Sequence, residues 1–306
     1  MNQIIKRIID NIEKVIIGKR NVIEQLMVAL LSEGHVLIED VPGVGKTQVV
    51  GALAKSVDGI FNRIQFTPDI MPSDVVGFSM FDPETKEFTY KSGVVMCNFL
   101  LADEINRSSP KCQSSLLEIM EEFQVTVDGK IHTVPRPFMV LATENPVEHQ
   151  GTYKLPEAQM DRFLLKISMG YPNKEEEKLI LDRFEGENPL KKLESIITME
   201  ELVNMQEQVK EVTVLDNIKY YIVDLIHESR KNPKVLVGIS PRGGISLLKA
   251  AKSLAYIRGR DYVIPDDIQE MAIPVLSHRI ILKSNIGVTS DEIIKEAIKN
   301  VEVPLY

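Results

Sequence analysis

The segment that most constrains this chain is residues 35–57, HVLIEDVPGVGKTQVVGALAKSV. The apolar run Val36–Glu39 is typical of a strand, a turn with two glycines follows, and a helix is predicted to begin near Lys46. Backbone N–H groups at a helix start have no partners within the helix and carry partial positive charge, so a glycine-containing turn there can bind an anion. The sequence therefore predicts a phosphate-binding loop between a strand and a helix.

The loop departs at one position from the general pattern G-x-x-x-x-G-K-T, because Asp40 stands where the pattern has its first glycine. Lys46 is expected to reach the β- and γ-phosphates of a nucleotide, and Thr47 to give its hydroxyl to Mg²⁺. The residues predicted to bind the nucleotide are Asp40, Val41, Pro42, Gly43, Val44, Gly45, Lys46, Thr47 and Gln48, together with Ile17 and Gly18 from the segment before the second helix. The expected cofactors are ATP and Mg²⁺.

Two further strand ends carry the polar side chains that hydrolysis requires. The run NFLLADE ends a predicted strand with Asp103 and Glu104. A carboxylate at that point on a neighbouring strand can hold the Mg²⁺ shell, and the next carboxylate can polarise an attacking water. The strand in FMVLATEN ends at Asn145, whose amide could orient the same water. Asp103 is thus predicted to bind the metal, and Glu104 and Asn145 to act in hydrolysis.

Two arginines are predicted to complete the catalytic set. In ISPRGG, Ser240 is expected to cap a helix, which places Arg242 in a first turn where the helix dipole disfavours a cation. That placement indicates a nearby anion, and we expect it to be the γ-phosphate, gripped from the helical domain. Arg162 either pairs with the adjacent Asp161 or reaches a neighbouring subunit's ATP, where it would stabilise transition-state charge.

Strands alternate with helical patterns in the first half of the chain, and helices alone follow. Strands are predicted at 36–39, 62–66, 99–103, 138–143 and 164–168, and this alternation is typical of a parallel sheet covered on both faces. The segments 81–90 and 124–134 are predicted to be hairpins added to the sheet domain. We expect an αβα nucleotide-binding domain over residues 1–171 and a helical lid without strands over residues 172–306, with ATP between them.

Composition argues against several other classes of protein. The formal net charge of the 306-residue chain is −8 and its lysines and arginines are scattered, so no basic stripe offers itself to a nucleic acid backbone. The longest apolar run, 94–102, is too short to cross a bilayer. Cys97 and Cys112 lack metal-ligand spacing and are predicted to be reduced packing residues. We therefore expect a cytoplasmic protein without a transmembrane segment or a nucleic acid partner.

These motifs resemble those of the MoxR-family AAA+ ATPases. The resemblance is carried by IEDVPGVGKT, RIQFTPDIMPSDVVG, LLADEINRSSPKCQSSLLEIMEE, ATENPVEHQGTYKLPEAQMDRF and GISPRGGISLLKAAKSLAYIRGRDYVIPDDI, which together span most of residues 15–270. It implies an AAA+ P-loop αβα sandwich with a parallel sheet, followed by a C-terminal all-helical lid. By this resemblance the site residues correspond to Walker A (Lys46, Thr47), Walker B (Asp103, Glu104), sensor 1 (Asn145), the arginine finger (Arg162) and sensor 2 (Arg242). The family usually departs from the general loop pattern as Asp40 does, and the two hairpins match its inserts.

The resemblance also implies a function and partners. Such proteins generally form rings, often hexameric, and are similar to chaperones that mature partner complexes, commonly with a von Willebrand factor A domain protein. We therefore expect an Mg-dependent ATPase that remodels a protein client and is complete only after assembly, because Arg162, or Arg107 in its place, acts on the adjacent subunit's ATP. Two alternatives stay open: a nucleic-acid-stimulated motor with the same ATPase parts, and a nucleotide-dependent scaffold with little turnover.

Overall fold

The structure is a computed structural model that describes residues 1–41, 43–145, 153, 155–184, 186–283 and 287–304. The predicted contact of Pro42 with the nucleotide lies outside these residues. The α-helices within these ranges are α1 Gln3–Glu13, α2 Arg20–Leu31, α3 Lys46–Ser56, α4 Pro72–Val76, α5 Pro110–Glu122, α6 Glu157–Met160, α7 Lys174–Phe184, α8 Met199–Lys210, α9 Asp216–Lys231, α10 Pro241–Ile257, α11 Pro265–Leu276 and α12 Ser290–Asn300. The strands are β1 Val36–Glu39, β2 Phe61–Gln65, β3 Gly77–Asp82, β4 Glu87–Ser92, β5 Phe99–Asp103, β6 Gln124–Val127, β7 Lys130–Thr133, β8 Met139–Glu144, β9 Leu165–Ile167, β10 Val235–Val237 and β11 Ile281–Leu282. Short 3-10 helices lie at Ile105–Arg107, Pro189–Lys192 and Ser277–Arg279.

Five strands form one parallel sheet in the order β2-β5-β8-β1-β9. Alternate residues of β1 enter opposite layers, since Ile38 packs in the core that contains α1 to α3 and Leu37 packs in the core that contains α5. Helices therefore cover both faces, which confirms the predicted αβα sandwich. Because the strands are parallel, their carboxyl ends share one edge of the sheet, here called the carboxyl edge, and their amino ends share the opposite amino edge.

Two antiparallel hairpins lie outside the main sheet. β6 pairs with β7 within the predicted segment 124–134, and β3 pairs with β4 over 77–92, which extends the predicted segment 81–90 at both ends. Asp128 and Gly129, between β6 and β7, have φ angles of 50° and 76°, as a tight two-residue hairpin turn requires. The rings of Tyr90 in β4 and His132 in β7 stack with centroids 3.8 Å apart. That stacking joins the two hairpins to each other.

The chain after residue 172 is helical as predicted, with one correction. β10 and β11 pair antiparallel, where we expected no strand. They have three and two residues, and Leu236 and Val237 are 64% and 49% exposed, so no alternation of buried and exposed residues marks them in the sequence. One hydrophobic core runs continuously from Ile8 of α1 to Leu254 of α10. The domain boundary after residue 171 stays a prediction.

The part of the lid that carries Arg242 is anchored at the amino edge of the sheet. Arg279, which is buried, donates from Nε to Oδ1 of Asp161 at 2.7 Å and from Nη2 to the carbonyl oxygen of Phe163 at 2.7 Å. Gln206 of α8 donates to the carbonyl oxygen of Leu30 at 2.7 Å. Since Phe163 leads into β9 and Leu30 leads into β1, these bonds hold the lid on the side where the strands begin.

Both cysteines are free and buried, as predicted. Burial raises the pKa of the Cys97 thiol to about 12, so this thiol stays protonated near neutral pH. Across the described ranges, no helix combines the length and the apolar character that crossing a membrane would require.

His35, immediately before β1, is a buried structural residue. Its Nδ1 accepts a hydrogen bond from the backbone N–H of Val140 at 3.0 Å, and its Nε2 lies 2.9 Å from the carbonyl oxygen of Met120. The neutral ring therefore carries its proton on Nε2. Burial lowers the pKa of His35 to about 4.

We expect the free energy of unfolding to fall as the pH drops from about 6.5 towards about 4. In the unfolded chain His35 takes up a proton near its ordinary pKa, whereas in the folded chain it does not, so its contribution is complete above the unfolded pKa and is lost on acidification. The variant His35→Gln cannot titrate and leaves the Val140 N–H without its acceptor, which costs about 1–3 kcal/mol at neutral pH. Urea unfolding across this pH range should show a flatter slope for the variant, and an equally steep slope would contradict the assignment.

Candidate active site

The carboxyl edge brings together three segments that the sequence predicts to act together. The loop after β1 begins at Asp40, β5 ends at Asp103 with Glu104 next, and Asn145 follows β8 and is buried. The three strands are adjacent in the order β5-β8-β1, so their ends are neighbours. The backbone N–H of Asp40 donates to the carbonyl oxygen of Glu144 at 3.1 Å, which ties the loop to the end of β8.

The loop forms an open cradle of backbone N–H groups. Gly43 and Gly45 have φ angles of 90° and 93°, which favour glycine, and a Cβ at either position would meet no atom of the described residues within 4 Å. Gly45 directly precedes α3, and no side chain among the described residues caps this helix. The N–H groups of its first turn, which includes Thr47, are thus available to an anion. In the same turn Oε1 of Gln48 is buried without a hydrogen-bond partner in the described part of the chain.

Asp40 supports the loop where the general pattern has a glycine. Its carboxylate accepts hydrogen bonds from the backbone N–H groups of Met169 and Gly170, just beyond β9. The ammonium of Lys46 donates to the carbonyl oxygen of Asp40 at 2.9 Å. At the other end of the loop, Val44 packs against the core beneath α3. The loop is therefore held at both ends, and the carboxylate of Asp40 is used for that purpose.

Three carboxylates lie within electrostatic reach of Lys46. Burial lowers the pKa of its ammonium, and the charges of Asp103, Asp40 and Glu104 oppose that shift. The predicted phosphate ligand is thus close to both the predicted metal ligand and the predicted base. Lys46 thus offers a cation for a phosphate, and Asp103 offers oxygen ligands for a metal.

Thr143 and Arg63, which the sequence did not predict, hold the acidic pair. Oγ1 of Thr143 donates to Oδ1 of Asp103 at 2.7 Å and accepts from the N–H of Glu104 at 2.8 Å. Nη2 of Arg63 donates to Oδ2 of Asp103 at 2.7 Å. The one sequence signal for Thr143 is a hydroxyl at the end of the otherwise apolar predicted strand 138–143, two residues before Asn145. Arg63 gave no signal, because its partner lies 40 residues away along the chain.

Glu104 is held in an uncommon conformation. Its φ and ψ are 55° and 49°, a left-handed backbone that non-glycine residues adopt rarely and often at functional sites. Nε of Arg107 lies 3.1 Å from Oε2 of Glu104. Arg107, which we considered for the subunit interface, is thus placed beside the acid of its own chain, and any action on a neighbour stays a prediction.

Ile17 and Gly18 lie between α1 and α2, next to the chain that follows β9. A Cβ on Gly18, whose φ is 71°, would come within 1.9 Å of Oε1 of Glu176. The ammonium of Lys19 donates to the carbonyl oxygen of Tyr171 at 3.0 Å. These contacts place the segment at the carboxyl edge beside the phosphate loop, and its contact with a nucleotide stays a prediction.

Arg162 and Arg242 lie together at the amino edge. Glu121, in the last turn of α5, pairs with both arginines, at 3.0 Å from Nε of Arg162 and at 2.9 Å from Nη1 of Arg242. All three residues line a hollow of about 340 Å³ that also includes His35. His35 precedes β1 whereas the phosphate loop follows it, and a strand of four residues separates the two by ~13 Å.

This placement corrects the expectation that Arg242 grips the γ-phosphate of its own chain. The expectation that ATP lies between the sheet domain and the lid stays a prediction. Ser240 does cap α10, accepting from the N–H of Gly243 at 3.3 Å, so the predicted first-turn position of Arg242 is confirmed. The anions that Arg242 meets are the carboxylates of Glu121, at 2.9 Å from Nη1, and of Asp161, at 3.9 Å from Nε. Asp161 bonds Arg279 at 2.7 Å, and Arg162 bonds Glu121 in place of Asp161.

Two domain families match the chain. Residues 35–165 match the ATPase family associated with various cellular activities (AAA), and residues 227–297 match the AAA lid domain. The fold is similar to the crystal structure of a candidate ATPase from Cytophaga hutchinsonii. The TM-score is 0.93 and the sequence identity is 39%, over 99% of this chain and 96% of that one. The fold and the site thus define the class of AAA+ ATPases.

Relatives along the full length narrow this class. Protein YeaC of Bacillus subtilis is 49% identical over 100% of this chain and 96% of its own length. Chaperone MoxR1 of Mycobacterium tuberculosis is 43% identical over 97% of this chain and 80% of its own, and Protein MoxR of Methylorubrum extorquens is 28% identical over 95% and 91%. The chain belongs to the MoxR family of AAA+ ATPases.

The variant Thr143→Val should test the support of the acidic pair. Valine keeps the shape of this buried side chain but leaves the Glu104 N–H without an acceptor and Oδ1 of Asp103 without a donor, at a cost of about 1–3 kcal/mol in unfolding free energy. We expect ATP turnover to fall more than nucleotide affinity. Thr143→Ser retains the hydroxyl and is the matched control. Denaturant unfolding and steady-state ATPase measurements that show no difference between Val and Ser would contradict this role.

Proposed function

We propose that this chain hydrolyses ATP in an Mg²⁺-dependent reaction and acts as a ring-forming, chaperone-like factor that remodels protein partners. The observation that carries this proposal is the open cradle of Gly43 and Gly45 beside Lys46, with Asp103 and Glu104 within electrostatic reach. Membership of the AAA+ class supports nucleotide binding and ATPase activity.

Thr47 and Asp103 are the residues we propose to hold Mg²⁺. Both offer oxygen ligands, which Mg²⁺ prefers. The carboxylate of Asp103 has lone pairs beyond those used by Thr143 and Arg63. These hydrogen bonds therefore orient the carboxylate and leave lone pairs that can bind the ion. When bound, the ion neutralises phosphate charge and helps to orient the β- and γ-phosphates.

The chemistry that we propose is attack of water on the γ-phosphorus. Lys46 and the first-turn N–H groups of α3 bind the β- and γ-phosphates. Glu104 accepts the proton of the attacking water, and Asn145 orients that water with its amide. The bond between the γ-phosphorus and the bridging oxygen breaks as the new P–O bond forms, and ADP and phosphate leave.

We propose that Arg162 and Arg242 both act on the ATP of an adjacent chain. They lie at the amino edge, ~13 Å from their own phosphate loop along the strand direction. A second copy that presents its amino edge to this carboxyl edge would bring both arginines to the triphosphate. Such a contact is heterologous and generates a ring when the rotation closes. The resemblance to the family favours a hexamer.

The β3–β4 hairpin is the surface that we propose for a protein client. Met80, Phe81 and Phe88 are 47%, 49% and 70% exposed, and the two phenylalanine rings lie 5.5 Å apart. Asp82, Lys86 and Glu87 are close to them in the sequence, so the surface is apolar with neighbours of both charges. It suits an apolar protein segment better than a phosphate backbone. The name of the mycobacterial relative, a chaperone, supports this class of partner. A von Willebrand factor A domain protein is our candidate client.

We propose a cytoplasmic location. Cys97 and Cys112 are free thiols, which suits a reducing compartment.

The variant Arg162→Ala should bind Mg·ATP with nearly unchanged affinity, because the phosphate loop stays intact. Its turnover should fall by about 10³- to 10⁵-fold, since the lost guanidinium stabilises transition-state charge. Mixing it with Glu104→Gln should restore part of the turnover, because the second variant lends an intact Arg162 to the first. Nucleotide-binding calorimetry and steady-state ATPase assays of the separate and mixed proteins test these outcomes.

The wild type is the control for assembly, and its activity per chain should rise with protein concentration. Arg242→Ala should follow Arg162→Ala in the same mixing assay. Strong ATP hydrolysis by dilute, monomeric Arg162→Ala would contradict the proposal that Arg162 acts on the ATP of an adjacent chain.

An ATPase assay with single- and double-stranded nucleic acid should separate the remodelling factor from a nucleic acid motor. We expect no stimulation, because the chain is acidic and its exposed hairpin is apolar. Stimulation of several-fold that disappears with added salt would instead favour the motor. Tight ATP binding without turnover in the assembled wild type would favour a scaffold.

A further inference from the structure

One carboxylate lies between the two arginines that we assign to the neighbouring ATP. Each oxygen of Glu121 bonds a different arginine, Oε2 to Nε of Arg162 and Oε1 to Nη1 of Arg242. Arg162 belongs to the segment that enters β9, whereas Arg242 belongs to α10 of the lid. A single side chain thus joins both arginines, from separate parts of the fold, at the face that would meet another chain.

Neither Glu121 nor Arg242 is favoured by its own helix. Glu121 lies in the last turn of α5, where the helix dipole disfavours an anion, and Arg242 lies in the first turn of α10, where it disfavours a cation. The side chains of Glu121, Arg162 and Arg242 are 40%, 27% and 46% exposed, and ion pairs with this much exposure add little to stability. Stability therefore does not explain the arrangement, and a role in positioning does.

The contacts leave most of each guanidinium free of Glu121. A guanidinium has five N–H donors in a fixed plane. Glu121 takes Nε of Arg162 and Nη1 of Arg242, so both Nη atoms of Arg162 and Nη2 of Arg242 are not used by this carboxylate. A carboxylate that accepts from some N–H donors of a guanidinium can fix the plane of that group while its other N–H donors bind phosphate oxygens.

We propose that Glu121 is a positioning residue that holds Arg162 and Arg242 as one preorganised pair for the γ-phosphate of the adjacent chain. This inference rests on the proposed hydrolysis across a subunit contact. Without the carboxylate of Glu121, Arg242 would keep Asp161 at 3.9 Å from its Nε, but Arg162 would lose its ion pair and the link between the two arginines would be gone. Their long side chains would then have to be ordered in the transition state, at a cost in rotamer entropy. Glu121 acts through the arginines and does not itself bind ATP.

The variant Glu121→Gln keeps the length of the side chain but removes its charge and one of its acceptor oxygens. We expect kcat of the assembled protein to fall on the order of 10- to 100-fold. KM for ATP should stay within about twofold, because the phosphates bind at the carboxyl edge of the other chain. Glu122→Gln makes the same chemical change one residue further on α5, at another exposed position, and should keep the wild-type kcat.

Mixing experiments distinguish positioning from damage to the fold. Glu121→Gln keeps an intact carboxyl edge, so Glu104→Gln, which has an intact amino edge, should restore its turnover. Arg162→Ala is defective at the same edge as Glu121→Gln and should not restore it. Thermal unfolding of each variant verifies that the chains are folded.

An unchanged kcat in Glu121→Gln, or equal restoration by both partners, overturns the role of Glu121. If Arg162→Ala is nevertheless complemented by Glu104→Gln, the proposed function stands without that role. If that pair also fails to complement, the shared site itself is wrong.

Discussion

The candidate site depends on the hydrogen bonds that the N–H groups of Met169 and Gly170 donate to the carboxylate of Asp40. Residue 40 directly follows β1, and its own N–H binds the end of β8. One residue therefore fixes the loop to the strands on both sides of β1. With the loop held in this way, Gly43 and Gly45 can keep their left-handed backbone around an open space. The glycine of the general pattern would supply no carboxylate, so a different anchor would be needed.

The parallel direction of the strands separates the predicted site residues into two groups, which lie at opposite edges of one sheet. The phosphate loop, Asp103, Glu104 and Asn145 gather where the strands end. The arginines gather where they begin, because Arg279 and Gln206 anchor the lid there. A sheet of this kind cannot bring its two edges together within one chain. The separation is the physical reason for proposing that catalysis belongs to the contact between chains.

Local features of the fold and site could be predicted from the sequence, and long-range features could not. The β1–loop–α3 unit, the turn at Asp128 and Gly129, and the cap at Ser240 each depend on residues a few positions apart. Thr143 was missed because the carboxylate that it holds lies 40 residues away. For Arg242 the helix dipole indicated an anion but not which one. The answer depends on the contact between Arg279 and Asp161, which are 118 residues apart.

Helix α5 links the two edges. Its start is fixed to the turn after Glu104, since Nε2 of Gln113 donates to the carbonyl oxygen of Ile105 at 3.2 Å, and its last turn carries Glu121. Thirteen residues make a rod of ~20 Å, and beyond its first position the helix has neither proline nor glycine at which to bend. If this rod moves as one body, a displacement at the end near Glu104 reaches the end that carries Glu121. In a ring of such chains, hydrolysis at one site would shift the arginines that act on the ATP of the adjacent chain. The sites would then hydrolyse ATP in sequence and not independently.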